Sequence, residues 1–114
     1  MRTATLHAFN WRYTDIIDNL DTIRDAGYGA ILIPPPLYSD PKGDQWWQRY
    51  QPKDYRILLS HLGGERDLEN LLEACHSGTC RIQVYADLVV NHMANEARDD
   101  RFNFPGEAEL AQYK

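Results

Sequence analysis

Residues 81–92, Arg-Ile-Gln-Val-Tyr-Ala-Asp-Leu-Val-Val-Asn-His, constrain the fold more than any other stretch of this chain. Ile82, Val84, Leu88, Val89 and Val90 form an apolar, largely β-branched run, which predicts a strand buried on both faces, as in a parallel sheet. One carboxylate, Asp87, sits inside that run, and Asn91 and His92 stand at its exit. An unpaired carboxylate is costly to bury, so Asp87 is expected to have hydrogen-bond or cationic partners. Ligands bind at the carboxyl ends of parallel strands in α/β folds. Asp87, Asn91 and His92 therefore mark a candidate site.

Upstream, strand and helix patterns alternate. Residues 4–10 read as a first strand. Thr14 can cap a helix whose apolar positions Ile16, Leu20 and Ile23, with Ile17 and Ala26, recur at helical spacing, and Gly27 or Gly29 can end it. A second strand follows over 29–33, stopped by Pro34-Pro35-Pro36, because proline cannot donate to a ladder. A second helix is predicted over 65–76, with Leu68, Leu71, Leu72 and Cys75 on one face, and Gly78 breaks it before the third strand. The order β-α-β-loop-α-β predicts right-handed crossovers and a parallel sheet of the α/β class.

The segment from Pro34 to about Gly64 spans roughly thirty residues, against a median of about 4–6 for connections in compact domains. Its aromatics, Tyr38, Trp46, Trp47, Tyr50 and Tyr55, argue for order, since disordered segments are poor in such residues. A long ordered loop bearing flat rings at a strand's carboxyl end suits a carbohydrate. The apolar faces of a pyranose stack on rings, while its hydroxyls need Asn, Gln, His and Asp partners. Trp46, Trp47 and Tyr50 can stack, and Gln51, Asp87, Asn91 and His92 can make the polar contacts. The alternative is that the rings only pack the loop against the sheet.

Composition narrows the function classes. The net charge is −5 and no basic run is interleaved with aromatics, so nucleic acid and anionic membranes are poor partners. No apolar stretch approaches the roughly 18 residues that span a bilayer. Met1-Arg2-Thr3 leads straight into strand-like sequence, so a secretory signal peptide is not expected; a cytoplasmic protein or a mature secreted form both fit. Cys75 and Cys80 lack metal-site spacing and are expected as two thiols, with a local disulfide as the alternative. His7, a histidine in a strand, is expected to be a satisfied core residue. His61, His76, Asp54, Asp99 and Asp100 are expected to be solvated or loop residues.

Trp46-Trp47-Gln48-Arg49-Tyr50-Gln51-Pro52, followed by Asp87-Leu88-Val89-Val90-Asn91-His92, resembles the α-amylases, retaining glycoside hydrolases acting on α-glucans. Leu6-His7-Ala8-Phe9-Asn10-Trp11 is similar to that family's first barrel strand, and Pro35-Pro36 to the end of its second. Pro34 and Leu37 depart from the family pattern, where small or polar residues are common. The resemblance implies a (β/α)8 barrel, of which 114 residues can hold only the amino-terminal part, since a whole barrel takes about 250. Residues 1–92 would be the first three βα segments, about three strands and two helices, and 93–114 the start of the insertion after the third strand.

The resemblance also assigns roles. His92 matches a histidine that hydrogen-bonds the sugar whose bond is broken, Tyr50 the tyrosine stacked on that ring, and Gln51 a glutamine lining the cleft. Trp46 and Trp47 match tryptophans on the non-reducing side. Asp87 matches a supporting aspartate that is not the nucleophile, and Asn91 a calcium ligand in calcium-dependent members. The implied reaction is retaining hydrolysis of α-1,4-glucosidic bonds in starch-type glucans and maltooligosaccharides, with two carboxyl groups about 5–5.5 Å apart. The nucleophile and acid are expected beyond residue 114, so this chain carries binding residues without catalytic ones. It is expected to be marginally folded or aggregation-prone alone, and inactive. A transglycosylase of the same family, a non-catalytic carbohydrate-binding relative and an unrelated small α/β module are the alternatives.

Overall fold

A computed structural model describes residues 3–94 of the chain. Side chains alternate along strands, and here that alternation divides a small parallel sheet into a covered and an open face. The sheet is built from β1 (Ala4–His7), β2 (Tyr28–Ile33) and β5 (Gln83–Ala86), in the order β1-β2-β5, with every pair parallel. Between them the chain forms α1 (Tyr13–Asp18), α2 (Leu20–Asp25), a 3-10 turn at Trp46–Tyr50, a minimal hairpin of β3 (Leu59–Ser60) and β4 (Gly63–Gly64), and α3 (Glu65–His76). The register aligns Thr5, Ala30 and Gln83 in one row, Leu6, Ile31 and Val84 in the next, and His7, Leu32 and Tyr85 in the third.

The middle row belongs to the core. Ala8, Ile31, Ile33 and Ile82 are buried against Ile16, Leu20 and Ile23 of the first helical segments and Leu68, Leu71 and Cys75 of α3, with Leu6 and Val84 packed at the margin. These are the apolar positions the sequence spacing selects. The opposite face is open: His7 and Tyr85 are exposed. His7 is therefore not a core residue, because its odd-numbered position on β1 turns it away from the helices. Beyond the strand, Leu88 and Val90 are also exposed and only Val89 is buried, so the third strand is neither buried on both faces nor as long as its apolar run suggests.

The single helix predicted from residue 14 is two six-residue segments that meet at Asn19. Asn19 Nδ2 donates to the Asp15 carbonyl at 2.8 Å, and this side chain competes with the continuing helical ladder. Thr14 is not the cap. Arg12 occupies that position without a side-chain bond, and the Tyr13 amide donates to Leu62 O at 2.8 Å instead. At the far end Gly27, at φ +92°, takes the left-handed conformation that stops α2. Helix α3 begins where predicted: the Gly64 amide donates to the Asp67 carboxylate at 2.9 Å, half of a reciprocal cap. Arg24 joins α2 to the end of α3 and the segment after it, donating from Nη2 to Ala74 O at 2.6 Å and from Nε to Cys80 O at 3.0 Å. Cys75 is buried at the end of α3, and it forms no disulfide with Cys80.

The long connection between β2 and α3 is ordered, as its aromatics predict. Tyr38 bridges to Asp54 across it, and Tyr38 itself is buried. Asp54, expected to be a solvated or loop residue, does lie in the loop but is buried, its carboxylate accepting a fork of bonds from the Arg56 side chain and a further one from the Arg56 amide. Of the insertion predicted over 93–114, only Met93 and Ala94 are described, and the Ala94 amide donates to Pro52 O at 2.8 Å. Asp99 and Asp100 lie outside the described residues.

Candidate functional site

The 3-10 turn at Trp46–Tyr50 is short, and its own hydrogen bonds hold it only partly. Gln45 and Gln48 close its start, the Gln45 amide donating to Gln48 Oε1 at 2.9 Å and the Gln48 amide to Gln45 O at 3.1 Å. A Cβ at position 43 would overlap the Gln48 carboxamide, so a larger residue there would displace that side chain from its place at the start of the turn. Beneath the turn lies Arg49, 0% exposed, whose Nη2 donates to Asp40 O at 3.0 Å and Gly43 O at 2.7 Å. Its Nε and Nη1 are buried without a hydrogen-bond partner. Burial lowers the guanidinium's affinity for its proton, and the nearby charge of Asp40 opposes that shift. Arg49 thus anchors the turn from inside while its neighbours face outward. Trp46 is 50% exposed and Trp47 46%.

The strand ends supply the rest. Asp87 is the first residue after β5 and is exposed, not enclosed in a strand; its amide extends the ladder to Ile33 O at 3.1 Å. It has a partner as expected, the Tyr50 hydroxyl, which donates to Oδ2 at 3.0 Å. Burial raises the Tyr50 pKa, and that bond to Asp87 raises it further. His92 Nε2 lies 2.8 Å from the Tyr50 carbonyl. A carbonyl only accepts, so Nε2 carries the hydrogen of this bond. Tyr50 is consequently held from both ends, ring to Asp87 and backbone to His92.

Rings continue from Tyr50 across the sheet end. Trp46 meets Tyr50 edge-to-face at a centroid distance of 6.1 Å, Phe9 meets Trp46 at 5.6 Å, and His7 meets Phe9 edge-on at 5.4 Å. Trp46, Tyr50, Asp87 and His92 are thereby brought together at the carboxyl end of the sheet, with Trp47 beside them on the same turn and Gln51 exposed at its end. Phe9, Asn10 and Arg49 were not singled out from the sequence. Phe9 lies within the run read as strand, and a left-handed Asn10 is a turn signal that the strand pattern concealed. Asn91 is exposed, and among the described residues no three His, Cys, Asp or Glu side chains gather as a metal cluster. Calcium takes roughly six to eight oxygens, toward which Asn91 offers one carboxamide oxygen.

Residues 13–104 match the family model described as "Alpha amylase, catalytic domain". An alpha-amylase of Aeromonas hydrophila is 50% identical over 110 residues, covering 95% of this chain and 23% of the relative. The chain belongs to the alpha-amylase family. An alpha-amylase of Oryzias latipes is 39% identical over 97 residues, covering 81% of this chain and 18% of the relative. The chain therefore spans about a fifth of the length of these alpha-amylases. Among solved structures, a mutant alpha-amylase I of Eisenia fetida in complex with maltohexaose superposes with a TM-score of 0.70 at 31% identity, over 82% of this chain and 19% of that one. A hypothetical maltooligosyl trehalose synthase of Sulfolobus tokodaii, at 24% identity and a TM-score of 0.70 over 82% of this chain and 12% of that one, shares the fold. The three-stranded sheet is accordingly an amino-terminal segment of the alpha-amylase (β/α)8 barrel, its helices on the outer wall and the His7–Leu32–Tyr85 row on the interior side.

Proposed function

We propose that this chain contributes part of the substrate cleft of an α-glucan-acting glycoside hydrolase. The observation that carries the reading is the series of rings from exposed Phe9 and Trp46 to half-buried Tyr50, which ends in the Tyr50–Asp87 hydrogen bond beside His92. Rings with open faces offer a pyranose its apolar contact, and Asp87, His92 Nδ1 and Gln51 offer hydroxyl partners at the rim. In this reading Trp46 and Trp47 hold glucose units on the non-reducing side, and Tyr50 stacks on the sugar whose bond is cleaved. Asp87 orients the Tyr50 ring as well as binding a hydroxyl, since its Oδ2 already accepts from that phenol.

Bond cleavage in the reading is retaining hydrolysis of α-1,4-glucosidic linkages by one carboxylate nucleophile and one carboxylic acid, neither of them within this chain. What residues 3–94 do is bind and orient. Hydrolysis is preferred over transfer because the relatives with 50% and 39% identity are alpha-amylases. If calcium is used, Asn91 offers it one oxygen, with the other ligands from outside residues 3–94.

Titration of tryptophan fluorescence with maltohexaose tests the binding. Trp47→Ala is expected to weaken saturable quenching about tenfold, equivalent to about 1.4 kcal/mol. Identical titrations for the parent, Trp46→Ala and Trp47→Ala would dismiss the glucan cleft.

A further inference from the structure

The tryptophan turn is gripped by a second element, the turn that follows β1. Strand β1 ends at His7, and the chain then turns tightly, the Phe9 amide donating to His7 O at 2.9 Å and the Trp11 amide to Ala8 O at 3.3 Å. Asn10 makes this turn at φ +57°, a left-handed conformation that asparagine tolerates better than most residues. The turn delivers two groups to the distant loop. Asn10 Nδ2 donates to the Asp44 carbonyl at 2.9 Å, and the Phe9 ring packs against Trp46 at 5.6 Å with the planes 42° apart. Asp44 in turn accepts from Gln45 Nε2 at 3.0 Å, and Gln45 is the residue that starts the 3-10 turn.

Neighbouring residues of one turn thus seize two points of another, one through the backbone and one through the indole. The carboxamide sits deep enough that Asn10 Oδ1 is buried without a partner. Phe9 remains 45% exposed. Its His7 neighbour braces the other edge at 75°.

We infer that Phe9 and Asn10 are positioning residues for glucan binding: they fix the tilt of the Trp46 indole and so set the affinity for the sugar stacked on it. The inference rests on the glucan reading for its sugar, but not for the clamp itself. Neither residue need touch the reacting bond. Removing Phe9 frees one face of Trp46; removing the Asn10 carboxamide lets the Asp44–Gln45 peptide drift and carry the indole with it.

Two readouts separate the clamp from the sugar. In the 114-residue chain carrying Trp11→Phe and Trp47→Phe, held at a concentration low enough to sediment as monomer, Trp46 is the sole tryptophan, and acrylamide quenching of its selectively excited emission reports its accessibility. Phe9→Ala and Asn10→Gly, the latter keeping the left-handed turn, are each expected to raise the quenching constant about twofold, with far-UV circular dichroism unchanged. With all tryptophans present, both are expected to weaken maltohexaose binding about fivefold, the range of an aromatic pair contact, and Phe9→Tyr to restore it to within about twofold. Should Phe9→Ala lose its folded signal, Phe9→Leu replaces it, with the same expectation for quenching. Unchanged quenching in both variants overturns the clamp. Raised quenching with undiminished maltohexaose affinity overturns the positioning role. If the parent chain fails to bind maltohexaose while quenching still rises, the glucan reading falls and the clamp on Trp46 stands.

Discussion

Arg49 concentrates the electrostatic cost of this chain. Its stem and charge are enclosed, its Nη2 holds two loop carbonyls, and two of its nitrogens are left without partners. Arg49→Ala leaves those carbonyls without their donor and opens a void, so it is expected to cost about 3 kcal/mol. Arg49→Met fills the volume and removes the buried charge, and should cost clearly less. Urea unfolding of both variants checks the order; a fully stable alanine variant would contradict an anchoring role. Three groups also predict how stability changes with pH. Burial raises the pKa of Cys75, of the Tyr13 hydroxyl and, together with Asp87, of Tyr50. Each group holds its proton more tightly folded than unfolded. Their contributions are therefore complete below the ordinary thiol and phenol values of about 8.5–10 and are lost as the pH rises through the higher folded values. Urea midpoints measured from pH 8 to 11 should fall steadily, and Cys75→Ala should flatten the start of that fall. Residues Asp87, Tyr50 and His92 were legible from their motif, but the binding partners were not. Tyr50 reaches Asp87 with its hydroxyl and His92 with its carbonyl, and sequence spacing does not report a backbone acceptor.

Elements with strong periodicity were read nearly to the residue. Helix α3 occupies 65–76 because Leu68, Leu71 and Cys75 share a stripe and Asp67 returns a carboxylate to the Gly64 amide. Leu71→Ala removes a fully buried side chain from the seam between α3 and the sheet, and is expected to destabilise by about 2–5 kcal/mol in the same unfolding assay. The earlier helix shows the limit of periodicity. Ile16, Leu20 and Ile23 fall on the buried side as expected, yet Asn19 interrupts the ladder between them without disturbing that side. Strand length departs from the apolar pattern for a related reason. Val89 and Val90 carry β-branched side chains, but the ladder ends at Ala86 and the Asp87 amide, after which the backbone turns toward Pro52 and Tyr50. Apolar character marked the segment correctly; only the tertiary contacts could mark where pairing stops.

At the scale of the whole molecule, the sheet has one finished face. Helices cover Ile31, Ile33 and Ile82, while Tyr85 and Leu88 stand exposed and Val90 is 81% exposed. Strands β1 and β5 are both edges of the described sheet. Unpaired edges beside apolar surface favour association between chains. The 114-residue chain in isolation is expected to sediment as a concentration-dependent mixture of oligomers, and a single monomeric boundary across a wide concentration range would refute this. It is also expected to release no reducing sugar from soluble starch; turnover abolished by His92→Ala would overturn that expectation. The latch between Tyr50 and His92 spans 42 positions of sequence, and the one between Tyr50 and Asp87 spans 37. During synthesis the tryptophan turn therefore leaves the ribosome well before its fasteners exist. Until β5 emerges, the sticky rings are tethered mainly by Arg49 and the Asn10 turn, so the interval between those two segments is when a nascent chain of this kind most needs a chaperone.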